Sequence, residues 1–161
     1  MKSGIFEGMK HYTSIEQSKK LLELGLNPET SDMCYKTLDV DNAESDDDVV
    51  FDLVCRPYSD YLKYVIPLGL NYKAVPCWSI DGLLSLTPNY KKDDFYDGDD
   101  PNNYSGFQLI KTIGNKWYCQ YLPSLDSVFN QKITEYYDNA FEACYEMVVW
   151  LLENGHIKKG E

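Results

Sequence analysis

The sequence predicts an α+β fold, a small antiparallel sheet with about three helices (N-terminal, short central and C-terminal) packed on one face. Three observations predict it. The chain closes with a fully signalled amphipathic helix, a Gly-Asn turn joins two strand-like runs into a hairpin, and the elements follow in the order helix, strand, short helix, hairpin, helix. At 161 residues one core is expected, because a domain of about 150 residues buries roughly 68–70% of the surface its unfolded chain exposes. No Pro/Ser-rich linker or internal repeat splits the chain, so residues 1–161 read as a single domain.

The first helix is expected over about 14–24. Thr13 with Glu16 and Ser14 with Gln17 both have capping-box spacing, Ile15, Ser18, Leu21 and Leu22 line one side, and Gly25-Leu26-Asn27-Pro28 is a left-handed stop followed by a proline. Met33-Cys34-Tyr35 reads as a short extended piece. The segment Asp39 to Asp48 has almost nothing apolar and reads as an exposed loop, and Val49 to Cys55 reads as a strand rich in β-branched and aromatic residues. Residues 58–75 permit a short helix in which Tyr58, Tyr61, Leu62 and Val65 share a face after a possible Ser59 cap. Ser79 caps the central helix, Trp78 and Leu83 occupy the positions of a hydrophobic staple, and Pro88 limits the helix to about two turns. Residues 89–106 are acidic and turn-rich, which marks a second exposed loop.

The hairpin follows, with strands 107–113 and 116–122 around Gly114-Asn115. As a two-residue turn this would set Thr112 opposite Trp117 and Ile110 opposite Cys119. Phe129 and Ile133 precede the last helix. There Asn139 caps and Glu142 has capping-box spacing, Phe141, Cys144, Met147, Val148, Leu151 and Leu152 form one apolar stripe, and Gly155 stops the helix.

Charge narrows the function classes. Of the net −11, seven acidic residues lie between Asp39 and Asp52 and five between Asp93 and Asp100, with no basic residue among them. Without those twelve, 14 acidic face 15 basic residues, so no broad basic face exists to hold nucleic-acid phosphates and direct nucleic-acid binding is not expected. No apolar run approaches the roughly 20 residues of a membrane span, and the first nine residues lack the apolar core of a secretory signal. The expectation is a cytoplasmic protein without a membrane partner. Its five cysteines (Cys34, Cys55, Cys77, Cys119, Cys144), odd in number and set among apolar neighbours, read as reduced packing residues.

Catalytic and cofactor signatures fail when tested one by one. The two histidines, His11 and His156, lie in polar terminal stretches and read as solvated side chains. The nearest two cysteines are 21 residues apart, which no zinc motif uses. Asp39-Val-Asp41-Asn-Ala43 begins like a calcium loop but places Ala43 where a ligand belongs, with no glycine after it. No phosphate-binding glycine fingerprint occurs. No catalytic, cofactor or metal residue is therefore assigned.

Three sequence blocks, Ser14 to Tyr35, Pro76 to Leu84 and Trp150 to Asn154, resemble short uncharacterised proteins of gut bacteria and of their phages or other mobile elements. The resemblance implies an accessory role and carries over no activity. The leading expectation is thus an accessory module that binds a protein through surplus aromatics, with Tyr58, Tyr61, Tyr64 and Tyr96 as the candidate contact residues. Two alternatives belong to other classes. One is an enzyme whose site assembles only in the fold around Cys77 and Trp78; the other is an acidic mimic of nucleic acid built from segments 39–52 and 93–100.

Overall fold

The computed structural model describes residues 11–37, 51–65, 67, 73–87, 106–122 and 132–160. The expected acidic loops, 39–48 and 89–106 up to Gly106, lie outside these residues. The fold class is α+β as the sequence predicts, and the strands divide between two antiparallel three-stranded sheets. The described residues form two compact units, one spanning His11–Leu83 with the tail from Lys158 onward, the other spanning Leu84–Ile157.

The first unit holds α1 (Ile15–Glu23), one 3-10 turn (Pro28–Thr30), β1 (Met33–Thr37), β2 (Phe51–Val54), α2 (Tyr58–Val65), β3 (Ala74–Cys77) and the start of α3 (Ile80–Ser85). Ser14, not Thr13, caps α1: its hydroxyl accepts from the Gln17 amide at 3.2 Å while Gln17 returns its side-chain oxygen to the Ser14 amide at 3.0 Å. Thr13 is instead fully buried, its hydroxyl 2.7 Å from that of Ser18 and accepting from the Trp78 amide at 3.0 Å. Gly25 at φ +93° ends α1, with the Gly25 amide on Leu22 and the Leu26 amide on Leu21, the paired bonds of a Schellman motif.

β1 is the central strand, Cys34 lying opposite Val54 of β2 and Pro76 of β3. Strand β3 was not expected, because residues 58–75 read as permitting only a short helix; it lies at the edge of the described sheet, where proline is tolerated. α2 also differs from its reading. It opens at Tyr58 on the Pro57 carbonyl, which accepts from the Tyr61 amide at 3.0 Å, so Ser59 sits inside the first turn and does not cap it. Ser79 does cap α3, accepting from the Gly82 amide at 3.1 Å. Leu21, Leu26, Cys34, Cys77, Trp78 and Leu83 fill the interior, and the Trp78 indole donates to the Thr30 hydroxyl at 3.1 Å.

The second unit holds the remainder of α3, then β4 (Gly106–Lys111), β5 (Trp117–Leu122), β6 (Lys132–Ile133) and α4 (Ala140–Glu153). The hairpin forms, but its register is one residue away from the expected one: Lys111 faces Trp117, Ile110 faces Tyr118 and Leu109 faces Cys119. Only Asn115 (φ 60°) has positive φ in the turn, whereas a two-residue type I′ turn needs it at both central residues. The Asn115 amide bonds the Thr112 carbonyl and the Thr112 amide bonds the Lys116 carbonyl, which closes a three-residue loop, Ile113-Gly114-Asn115. α4 packs on β5 and β4. All six residues of its expected stripe are buried, joined by Ala143 and Tyr145, and Gly155 at φ +73° ends it in a second Schellman arrangement.

Candidate functional site: a bulged strand against the last helix

Within the second unit, residues 132–137 run along β5 and meet one face of α4. Gln120 pairs Ile133, whereas Trp117 bridges Tyr137 with both backbone bonds made, at 2.7 and 2.8 Å. Three residue steps along β5 therefore match four along its partner, so the 132–137 strand carries one extra residue, a β-bulge. The Thr134 amide and hydroxyl both bond the Cys119 backbone at 2.9 Å and anchor the strand just before the break.

The bulge determines what the strand presents. In a regular strand Lys132 and Thr134 share one face while Glu135 and Tyr137 share the other. One extra residue returns Glu135 and Tyr137 to the side of Lys132 and Thr134, and all four line the same groove. The opposite wall is Glu146, Val149, Trp150 and Glu153 of α4, whose i, i+3, i+4, i+7 spacing makes a single helix face. The groove has a volume of about 350 Å³ and is open to solvent.

Three glutamates and one lysine line this space, so its field is negative. Glu146 is exposed as a residue, yet its carboxyl sits where the walls thin the water. Partial burial raises its pKa, the carboxylates of Glu142, Glu135 and Glu153 push the same way, and Lys132 opposes them. Burial and the same acidic neighbourhood raise the Tyr137 phenol. The Trp150 indole is half-buried and stacked on the His156 imidazole, ring centroids 5.2 Å apart at 25°, with Tyr121 tilted against both. That stack fixes an aromatic wall beside the carboxylates.

No lining residue is a serine, cysteine or histidine, and the Thr134 hydroxyl is engaged with the Cys119 amide and the Glu135 carbonyl. Among the described residues no three His, Cys, Asp or Glu side chains converge as a metal site. The negative field and the aromatic wall together suit an ammonium or guanidinium group.

The residues singled out from the sequence lie elsewhere. Tyr58 and Tyr61 are half-buried on α2 in the first unit, and the Tyr58 amide donates to the Ser31 hydroxyl at 3.4 Å. Tyr64 belongs to α2 with its side chain outside the described residues, as is the whole of Tyr96. Cys77 and Trp78 are fully buried, outside the groove. The Cys77 thiol lies 3.5 Å from the Thr13 hydroxyl, and burial pushes its pKa up to about 11. Cys77 thus packs in the interior of the first unit. Acidic segments 39–50 and 93–100 lie outside the described residues; Asp52 is exposed on β2. The helix half of the groove was readable as the polar face of the last helix. The strand half depends on the bulge, which no residue pattern announces. Compared with known proteins, the chain matches no family model, no curated protein and no solved structure.

Proposed function

We propose that this chain is a cytoplasmic accessory module of phage or mobile-element origin that binds a protein. In this reading its groove receives a lysine or arginine side chain from a basic segment of that partner. One observation carries the reading. The bulge and the face of α4 gather Glu135, Glu146, Glu153 and the Trp150 ring around a single concavity. A bound cation offsets the burial and the carboxylate repulsion that disfavour ionised Glu146, and the indole face adds a cation–π contact of about 0.5–2 kcal/mol.

The test uses two peptides of equal length, one with paired Lys and Arg and one with neutral residues in their place, titrated against the protein with tryptophan fluorescence as readout. The basic peptide is expected to bind. Reversing Glu146→Lys and Glu153→Lys is expected to weaken it at least about tenfold, or about 1.4 kcal/mol, with the thermal transition not lowered, because both side chains are exposed and the Glu146 charge is itself disfavoured in the fold. Equal binding of the two peptides, or of the basic peptide to both proteins, overturns the reading. Affinity should also rise with pH as Glu146 ionises, and Glu146→Gln should flatten that dependence.

A further inference from the structure

The interior of the second unit contains a pair of thiols that the groove does not use. Cys119 on β5 and Cys144 on α4 are 0% and 1% exposed, and their sulfurs are in contact at 3.9 Å. Both carriers are held firmly: the Cys119 amide and carbonyl are each bonded to Thr134, and Cys144 lies mid-helix in the most buried face of α4. A disulfide needs its sulfurs at about 2.05 Å, so closure asks for about 2 Å of combined side-chain rotation and backbone approach. Of the remaining thiols, Cys77 faces Thr13 and Cys55 is exposed on the other unit.

We propose that Cys119 and Cys144 are a latent disulfide site, closed by a low-molecular-weight disulfide acting as oxidant. One cysteine thiolate attacks the oxidant, forming a mixed disulfide and releasing one small thiol. The second cysteine thiolate then attacks the protein sulfur of that mixed disulfide, forms the Cys119–Cys144 bond and releases the second small thiol. The two protons lost by the cysteines end on the two released thiols, and the oxidant takes up two electrons. Burial makes the step slow, because the oxidant must wait for local opening of α4 from the sheet. Once closed, the bond staples β5 to α4. If the groove reading holds, it thereby fixes the spacing of the groove's two walls, since β5 anchors Thr134 and Cys144 lies two residues before Glu146. The disulfide itself does not depend on that reading.

The experiment incubates the full chain carrying Cys55→Ser with oxidised glutathione, then maps unreduced peptides by mass spectrometry. The expected product is a monomer lighter by two hydrogens with Cys119 joined to Cys144, restored by dithiothreitol, and melting above the reduced form because a 25-residue separation is closed. Cys144→Ala should remove the link. Should that variant fail to fold, the map of the Cys55→Ser protein decides alone. Persistent glutathione adducts on either thiol, free thiols after prolonged incubation, or links involving Cys34 or Cys77 would each overturn the proposal. Peptide binding measured before and after closure reports separately on the groove.

Discussion

Gly82 shows how one position is dictated by its neighbour's hydrogen bonds. A Cβ there would lie 2.5 Å from Oδ1 of Asp32, and that carboxylate cannot retreat freely because it accepts from the Ser79 amide at 2.9 Å and from the Ser79 hydroxyl. Gly82→Ala should therefore cost about 1–3 kcal/mol, the usual range for overpacking. The cost should shrink in an Asp32→Ala background, where the clash is gone, and a double-mutant cycle in urea without such coupling would refute the account. At Glu146 charge decides the outcome. Its folded pKa is raised above the ordinary 4.5, so its contribution to stability is complete below 4.5 and is lost as pH rises through the folded value. Glu146→Gln should consequently stabilise the protein at neutral pH and make no difference in acid. Equal gains at both pH values, read from thermal melts, would show that side-chain shape and not charge is responsible.

At the scale of elements, the signals that stop and start helices were legible because they are local. The Asn139 and Ser79 caps, and the glycines that end α1 and α4, act within one turn of the residues that announce them. Those two glycines differ in surroundings. Gly155 at φ +73° has open space around it, whereas Gly25 at φ +93° has the Lys159 side chain 3.1 Å from the position a Cβ would take. Gly155→Ala should cost about 1 kcal/mol for the backbone conformation, and Gly25→Ala more, unless the lysine swings away. Thermal melts that rank Gly155→Ala as the worse variant would contradict this. Pairing was less legible, because it depends on partners distant in sequence or on a single dihedral. The hairpin register turned on Asn115 alone taking positive φ, and a one-residue difference exchanges the faces of a strand. Asn115→Gly should be tolerated there, while Asn115→Ala should lose about 1 kcal/mol. The groove was hidden for the same reason, since an extra residue between Ile133 and Tyr137 leaves no compositional trace.

For the whole molecule, composition and element order suffice for the α+β class, but the partition of strands into two sheets rests on long-range pairing that periodicity cannot express. The aromatic and thiol-rich interiors have one consequence that crosses both units. Burial raises the Cys77 thiol to about 11 and the Tyr145 phenol to about 12, and pushes Cys34, Tyr35 and Tyr121 upward as well. The unfolded chain releases these protons near 9.0 for the thiols and 10.0 for the phenols while the folded chain keeps them. The contribution of these groups is therefore fully present below 9.0 and falls as pH rises above it, each adding about 1.4 kcal/mol per pH unit to the slope between its unfolded and folded values. Tyr145→Phe isolates one of them, since the ring stays packed against Phe141 at 6.4 Å while its titration disappears. Its urea stability should follow the wild type up to 10.0 with a constant offset, then decline less steeply by one proton's worth, gaining about 2–3 kcal/mol by pH 12. Parallel curves throughout that range would mean that the Tyr145 phenol is no harder to ionise in the folded chain than in the unfolded one.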